Sequence, residues 1–257
     1  MSCRPPVAAR AVVFDFDGTL ALVRAGWMPV MLDMMMETLA PLGDPVALRA
    51  EAEEYVARLT GKDTVHQMLA FAAHVTALGG KALSGLEYRR EFFARTAGRQ
   101  AARLREVEQG RMAPDGLLVP GARALLEALQ SRGLRVWLAS GTAHDDIVRE
   151  ARLLDIERYF DDIHGSAPDR LSKSELLEHI VAGGIPAEAI LMFGDGQVEI
   201  EVTRAAGGTA VGVATDEREC LTVDPGKRSW LIGAGADYIV PNFLDPGELL
   251  EVVEGLR

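Results

Sequence analysis

Cysteine is scarce in this sequence. The 257 residues include only Cys3 and Cys220, too few for a disulfide framework and not spaced as a metal-binding pair, so we expect two free thiols. Long apolar runs are missing too, since the longest have about the length of a strand, far below a membrane span. The first ten residues hold two prolines and two arginines and no apolar segment of a signal peptide. These absences predict a cytoplasmic protein with no membrane partner.

Positive charge is also in short supply. The chain has 27 Lys and Arg against 38 Asp and Glu, a formal net charge of -11. Such a protein lacks the surplus cations that displace counterions from a nucleic acid, so we expect no nucleic-acid partner. The five histidines lack the paired spacing of a zinc site. A small phosphorylated ligand remains compatible with this charge, because one bound cation can reverse the sign inside a pocket.

The sequence does contain a regular alternation of short apolar runs and helical patterns. Runs that are apolar on both faces are typical of buried parallel strands. Three helix starts match capping boxes or close variants, at 142–145, 172–175 and 245–248. The alternation predicts an α/β fold with a Rossmann-like doubly wound parallel sheet. The predicted strands are 11–14, 135–139, 190–193, 210–213 and 238–240, with a shorter one at 162–164.

One segment, residues 22–115, breaks this alternation. It contains helical patterns at 27–39, 46–59, 63–78 and 86–108, and no strand pattern. We therefore predict an inserted all-helical domain at 22–115, with the α/β core formed by 1–21 and 116–257. The first of these helices carries five methionines, and we expect most of them to pack in the core of the insert.

Polar side chains follow four of the predicted strands. Because the carboxyl ends of parallel strands meet at one edge of a sheet, these side chains should lie together. Carboxylates without His or Cys suit a hard ion such as Mg²⁺, and a metal beside a hydroxyl, a lysine and helix N-termini is typical of a phosphate site. The residues are Asp15 and Asp17 after the first strand, Ser140 after the second, Lys173 after the third, and Asp195 with Glu199 after the fourth.

The segment Asp15-Phe-Asp17-Gly-Thr resembles the first motif of the haloacid dehalogenase superfamily. Ser140, Lys173 and the pair Gly194-Asp195 fall where the second, third and fourth motifs of that superfamily fall. The helical insert looks like a C1-type cap of the branch that contains β-phosphoglucomutase and phosphoglycolate phosphatase. The resemblance covers the whole chain and implies a core domain with a mobile cap that closes over the site.

The resemblance also implies a role for each matched residue. Asp15 would attack phosphorus and form an aspartyl-phosphate, while Asp17 would first protonate the leaving oxygen and then activate water. Ser140 and the N–H group of Gly141 would hold phosphoryl oxygens. Lys173 would balance charge and steady Asp15, although it lacks the proline that commonly follows it in the family.

A Mg²⁺ cofactor is implied as well. Its ligands would be the Asp15 carboxylate, the main-chain carbonyl of Asp17 and the Asp195 carboxylate. Glu199 stands where the family often has an aspartate, so we predict it as a further metal ligand, direct or through water. Dehalogenation is disfavoured, because Asp17 matches the phosphoryl-transfer form of the motif.

Residues of the insert would then select the substrate. Arg24 and Trp27 follow the first motif closely, and Lys62 lies in a break between two predicted helices, so we predict these three as substrate contacts. Arg89 and Arg90 are expected to be surface charges.

The sequence therefore predicts a Mg²⁺-dependent phosphatase for a small phosphorylated metabolite, acting as a monomer or homodimer. A sugar phosphomutase of the same branch and a non-catalytic phosphate-binding module are the alternatives. A dinucleotide-binding oxidoreductase is disfavoured, because no Gly-x-Gly-x-x-Gly follows the first strand.

Overall fold

A computed structural model describes residues 7–59 and 64–255. In that part of the chain, six parallel strands form one sheet in the order β3-β2-β1-β4-β5-β6. The fold class is the predicted one, a Rossmann-like parallel α/β sheet with a helical cap. The strands are β1 Ala11–Phe14, β2 Arg135–Ala143, β3 Asp162–Ser166, β4 Ile190–Gly194, β5 Thr209–Val213 and β6 Tyr238–Val240.

Ten α-helices accompany the sheet within the described residues. Five of them, α1 to α5, lie between β1 and β2 in the chain, and the other five follow β2. Helices α1 to α4 form the helical insert. None of the described helices combines the length and the apolar character that crossing a membrane requires. The helices are α1 Trp27–Leu39, α2 Pro45–Leu59, α3 Thr64–Ala77, α4 Gly85–Glu108, α5 Ala122–Ser131, α6 His144–Leu153, α7 Lys173–Ala182, α8 Gln197–Ala206, α9 Pro225–Gly233 and α10 Pro246–Val253.

The central strand β1 shows why helices cover both faces of the sheet. All four of its residues are fully buried, and alternate side chains point to opposite faces. Val12 and Phe14 belong to a hydrophobic cluster with α5, α6 and α10. Ala11 and Val13 belong to a second cluster with α7. The strand is thus apolar throughout because it packs on both sides, as in other parallel sheets.

The helical insert has a hydrophobic core of its own. Its cluster joins α1 to α4 and contains Met31, Met34 and Met35, together with Phe71 and Tyr88. Three of the five methionines of α1 are therefore buried inside the insert, as expected. Phe71 and Tyr88 pack edge to face with ring centroids 4.8 Å apart, which joins α3 to α4.

The predicted capping boxes have different outcomes. Ser172 and Glu175 form a complete box at the start of α7. The box predicted at Thr142 is wrong, because β2 continues to Ala143 and pairs with Ser166 beyond an irregularity in the ladder. Helix α6 begins after Ala143 without a side-chain cap, which leaves the Thr142 hydroxyl available for another contact.

Candidate active site

The carboxyl edge of the sheet opens into a cavity of about 500 Å³. The core contributes one wall and the helical insert contributes the other. Its lining includes most of the residues that the sequence predicted for the site: Asp15, Asp17, Arg24, Trp27, Ser140, Gly141, Lys173 and Asp195. Glu199 is buried below the cavity floor, with 1% of its surface exposed, and Lys62 lies outside the described residues.

Asp15 follows β1 directly, and its backbone N–H donates to the Phe193 carbonyl at 2.9 Å. The Nζ atom of Lys173, the first residue of α7, lies 2.7 Å from Oδ1 of Asp15 and also binds Glu199. Burial raises the pKa of Asp15 well above its usual value; Lys173 opposes the shift, while Glu199 and Asp195 add to it. Burial therefore disfavours the ionised form of Asp15, and Lys173 counteracts part of that effect.

Glu199 lies in the first turn of α8, close behind β4. A β-carbon at position 194 would lie 2.3 Å from Cβ of Glu199, so Gly194 leaves the space that this side chain fills. One oxygen of Glu199 binds Lys173, and the other is buried without a hydrogen-bond partner among the described residues. These contacts favour Glu199 as a partner of Lys173.

Asp195 has a cationic partner that the sequence analysis missed. The Nζ atom of Lys227 lies 3.0 Å from Oδ2 of Asp195 and 2.8 Å from Oε1 of Glu217. The second Glu217 oxygen accepts the backbone N–H of Gly26 at 2.8 Å, just before α1. Contacts thus run from the predicted metal ligand to the start of the helical insert.

Lys227 could have been suspected from its place in the sequence. It lies in the first turn of α9, whose start is marked by Asp224 followed by Pro225, a typical helix beginning.

Burial raises the pKa of Asp195 to about 6; Lys227 opposes this rise, whereas Glu199 and Glu217 reinforce it.

Gly18 gives the Asp195 carboxylate its space. It adopts a φ of +74°, and a β-carbon there would lie 2.1 Å from Oδ2 of Asp195. The tight turn after Asp17 therefore requires glycine for two reasons, its backbone conformation and the close approach of a carboxylate.

The Asp17 carboxylate is held from both sides. Arg24 donates to Oδ1 at 2.9 Å, and the Thr142 hydroxyl donates to Oδ2 at 2.9 Å. Arg24 also makes two hydrogen bonds, of 2.7 and 2.9 Å, to the buried Glu150 of α6. Thr142 was missed because it was assigned to a helix cap, and Glu150 because it lies within a helix rather than after a strand. Arg24 lines the cavity as predicted, but its guanidinium donates hydrogen bonds to these two carboxylates.

The end of β2 supplies the second group of polar atoms. The backbone N–H of Thr142 donates to Oγ of Ser140 at 3.1 Å. That contact uses an acceptor position of the hydroxyl and leaves its hydrogen for a ligand. Ser140 and Gly141 both line the cavity, where the hydroxyl and the backbone amide could receive anionic oxygens.

The insert contributes an aromatic wall with one cation. Trp27 and Phe92 pack edge to face with centroids 6.5 Å apart, and Phe93 lies 5.7 Å from Phe92. Arg89 also lines the cavity, with its guanidinium carbon 4.7 Å from the Phe93 ring centroid. The prediction of Arg89 as a surface charge is therefore wrong, because α4 turns this face toward the core. Arg90 is exposed, as expected.

The donor set is chemically suited to a hard cation. Asp15 and Asp195 are two buried carboxylates whose pKa values are both raised, chiefly by burial and in part by the negative charge of Glu199. A divalent ion between them would relieve that repulsion. Among the described residues, no three His, Cys, Asp or Glu side chains are grouped so that they could hold a metal. The implied set needs only two such side chains and a main-chain oxygen, so it fits, whereas Glu199 as a third direct ligand is disfavoured.

Comparisons with known proteins agree with this fold. A predicted phosphatase from Clostridium acetobutylicum is 20% identical, with a TM-score of 0.59 over 95% of this chain and 100% of that one. A predicted phosphoglycolate phosphatase from Haemophilus somnus is 17% identical, with a TM-score of 0.58 over 94% and 98%. CbbY from Rhodobacter sphaeroides, solved with xylulose-(1,5)-bisphosphate, is 20% identical, with a TM-score of 0.57 over 93% and 96%.

No curated protein sequence matches the chain. The three structural likenesses named above are at low identity and show the fold. The family model for haloacid dehalogenase-like hydrolases, in contrast, matches residues 9–207, well over half of the sequence. The chain therefore belongs to the haloacid dehalogenase-like hydrolases.

Proposed function

We propose that this protein is a Mg²⁺-dependent phosphatase that hydrolyses a small phosphorylated metabolite through an aspartyl-phosphate on Asp15. The observation that carries the proposal is the contact of Lys173 with Asp15, 2.7 Å long, at the floor of a cavity that also contains Asp17 and Asp195. A buried carboxylate next to an ammonium group, in a site lined by phosphate-binding groups, is suited to nucleophilic attack. The phosphatase and bisphosphate-bound relatives support the substrate class.

The first step transfers the phosphoryl group to the protein. One carboxylate oxygen of Asp15 forms a bond to phosphorus while the bond between phosphorus and the ester oxygen breaks. Asp17 donates its proton to that oxygen, so the alcohol leaves neutral. Lys173 opposes the rise that burial causes in the pKa of Asp15 and so favours the ionised nucleophile, and the Ser140 hydroxyl and the Gly141 N–H bind the phosphoryl oxygens.

The second step releases phosphate. Asp17, now ionised, removes a proton from a water molecule whose oxygen attacks phosphorus. The bond between phosphorus and Asp15 breaks, so the nucleophile and the proton on Asp17 are both restored. When bound, Mg²⁺ would be held by Asp15, the Asp17 carbonyl and Asp195, and would neutralise charge that develops on the phosphoryl group.

The helical insert is suited to act as the cap that selects substrate. Its α1 and α4 supply one wall of the cavity, and a closed cavity would keep bulk water from the aspartyl-phosphate until the alcohol has left. Trp27 and Arg24 were both predicted as substrate contacts, and both line the cavity. Arg24 binds the carboxylate of Asp17, whereas Trp27 packs against Phe92, so Trp27 is the better candidate for selecting the substrate.

The test compares Asp15→Asn with Asp145→Asn, an exposed residue of α6 outside the cavity lining. With an aryl phosphate and Mg²⁺, Asp15→Asn should lose at least about a thousandfold in kcat, as removal of a nucleophile does. Asp145→Asn should match the wild type, and EDTA should abolish wild-type turnover. Full activity in EDTA or in Asp15→Asn would exclude the proposal, and product isomers without free phosphate would indicate a mutase.

A further inference from the structure

Helix α4 presents one cation and two aromatic rings to the cavity. Arg89, Phe92 and Phe93 are three and four residues apart, so they share one face of the helix. The Arg89 guanidinium lies over the Phe93 ring at 4.7 Å. Stacking of this kind holds the plane of the guanidinium in place while its N–H edge remains free to bind.

Arg89 differs in its hydrogen bonding from two other arginines of α4, Arg95 and Arg103. Arg95 binds Glu37 and Glu91, and Arg103 binds carbonyl oxygens before α1. The Nε atom of Arg89, in contrast, is buried without a hydrogen-bond partner in the part of the chain that the structure describes. A buried donor without an acceptor is unfavourable, so this position is suited to an acceptor supplied by a ligand.

The place of Arg89 in the cavity indicates which ligand group that is. Asp15, where phosphorus would react, lies on the core wall of the same cavity, and Arg89 lies on the wall formed by the insert. The planar fork of a guanidinium matches a carboxylate or a phosphate in two parallel hydrogen bonds. The row from Trp27 through Phe92 to Phe93 gives the body of a substrate an apolar surface between the two ends.

We propose that Arg89 binds a second anionic group, a carboxylate or a phosphate, on the leaving group of the substrate. The substrate is then a phosphomonoester with two anionic ends. This inference rests on the phosphatase function proposed above, and it makes Arg89 a specificity-determining residue.

The experiment uses ω-carboxyalkyl phosphates with one to six methylene groups, each paired with its primary amide. The two members of a pair have nearly the same size and differ in the charge of the distal end. A third series of alkane bisphosphates separates a distal phosphate from a distal carboxylate. The full-length protein with Mg²⁺ is assayed for phosphate release, and kcat/KM is compared within each pair.

At the best chain length, the wild type should favour a charged member over its amide by about tenfold or more, as a charge-assisted hydrogen bond does. Arg89→Met should bring that ratio close to one, and Arg89→Lys should retain part of it. Arg90→Met, on the exposed side of the same helix, should keep the wild-type ratio. Folding is checked by the amides, because a misfolded variant would lose them too.

The assay distinguishes failure of the second anion site from failure of the proposed phosphatase function. If the wild type releases phosphate but the ratio is the same in Arg89→Met, the second anion site is excluded and the phosphatase function remains. If the wild type releases phosphate from none of the compounds, the proposed function fails and this inference fails with it. A larger preference for bisphosphates than for carboxylates would identify phosphate as the distal group.

Discussion

The ammonium nitrogen of Lys227 lies 3.0 Å from Oδ2 of Asp195, a predicted metal ligand. Both side chains are buried, at 6% and 4% exposure. Burial alone would lower the pKa of Lys227, but Asp195 and Glu217 raise it above its usual value. The lysine therefore stays charged and neutralises part of the negative charge of this carboxylate cluster.

Replacing Lys227 by Met should destabilise the metal-free protein more than the protein in Mg²⁺. Removal of one partner leaves buried carboxylates uncompensated, which lowers the free energy of unfolding by about 3 kcal/mol. A bound divalent ion would compensate part of that charge, so the deficit should shrink with Mg²⁺. Urea unfolding in EDTA and in Mg²⁺ measures the loss in the free energy of unfolding under the two conditions. Lys81→Met, at an exposed position, is the control, and an equal deficit in both conditions would contradict the argument.

Asp17→Asn should slow turnover by about a hundredfold or more without weakening metal binding. The amide cannot transfer the proton, whereas the ligand proposed for the metal is the main-chain carbonyl of this residue, which the substitution keeps. Steady-state kinetics gives the first quantity and Mg²⁺ titration by calorimetry gives the second. Wild-type turnover in this variant would remove Asp17 from the mechanism.

Arg24→Met should lower kcat for small and large phosphate esters alike, because Arg24 positions Asp17. A substrate-binding role would instead raise KM for the larger ester alone. The variant should also lose about 3 kcal/mol of stability, since Glu150 is left buried and unpaired. The double variant Arg24→Met, Glu150→Met should recover most of the stability but not the turnover, and recovery of both would refute a positioning role.

Stabilisation by Mg²⁺ should depend on pH through Asp195. Its folded pKa of about 6 lies above the ordinary value of about 4. In the metal-free protein, Asp195 therefore contributes stability below pH 4 that is lost as the pH rises to about 6. Mg²⁺ requires the ionised form, so the increase in Tm on adding Mg²⁺ should be largest above pH 6 and fall below it. Asp195→Asn should show a smaller increase, and the pH dependence that remains should be that of Asp15, whose pKa burial also raises.

The sheet and the helical insert could be predicted from sequence because local patterns encode them. The prediction for α1 matched both ends, Trp27 and Leu39, since Gly26 and the apolar spacing define that helix. The end of β2 was placed four residues early, because its last pairing with β3 depends on an irregular ladder rather than on apolar residues. That error carried Thr142 into a capping prediction and hid its contact with Asp17.

The chemical site was predictable only where residues follow strands. Asp15, Ser140, Lys173 and Asp195 share that position and line one cavity. Lys227 and Glu150 reach the site from within helices. Lys227 lies 32 residues from its partner Asp195 in the sequence, and Glu150 lies 126 residues from its partner Arg24. Nothing local marks such pairings, because they exist only after the helices pack. Arg89 was missed for the same reason: the orientation of α4 decides whether it faces solvent or the cavity.

The close approach of Gly18 to Asp195 limits how this sequence can diverge. A β-carbon at position 18 would displace an oxygen that Lys227 also holds, and the positive φ disfavours every other residue there. The two positions therefore cannot drift independently. Variants selected for activity should keep glycine at 18 for as long as they keep aspartate at 195. Freeing position 18 would require a smaller residue at 195, so a stepwise evolutionary route away from this pair passes through a protein without its predicted metal ligand.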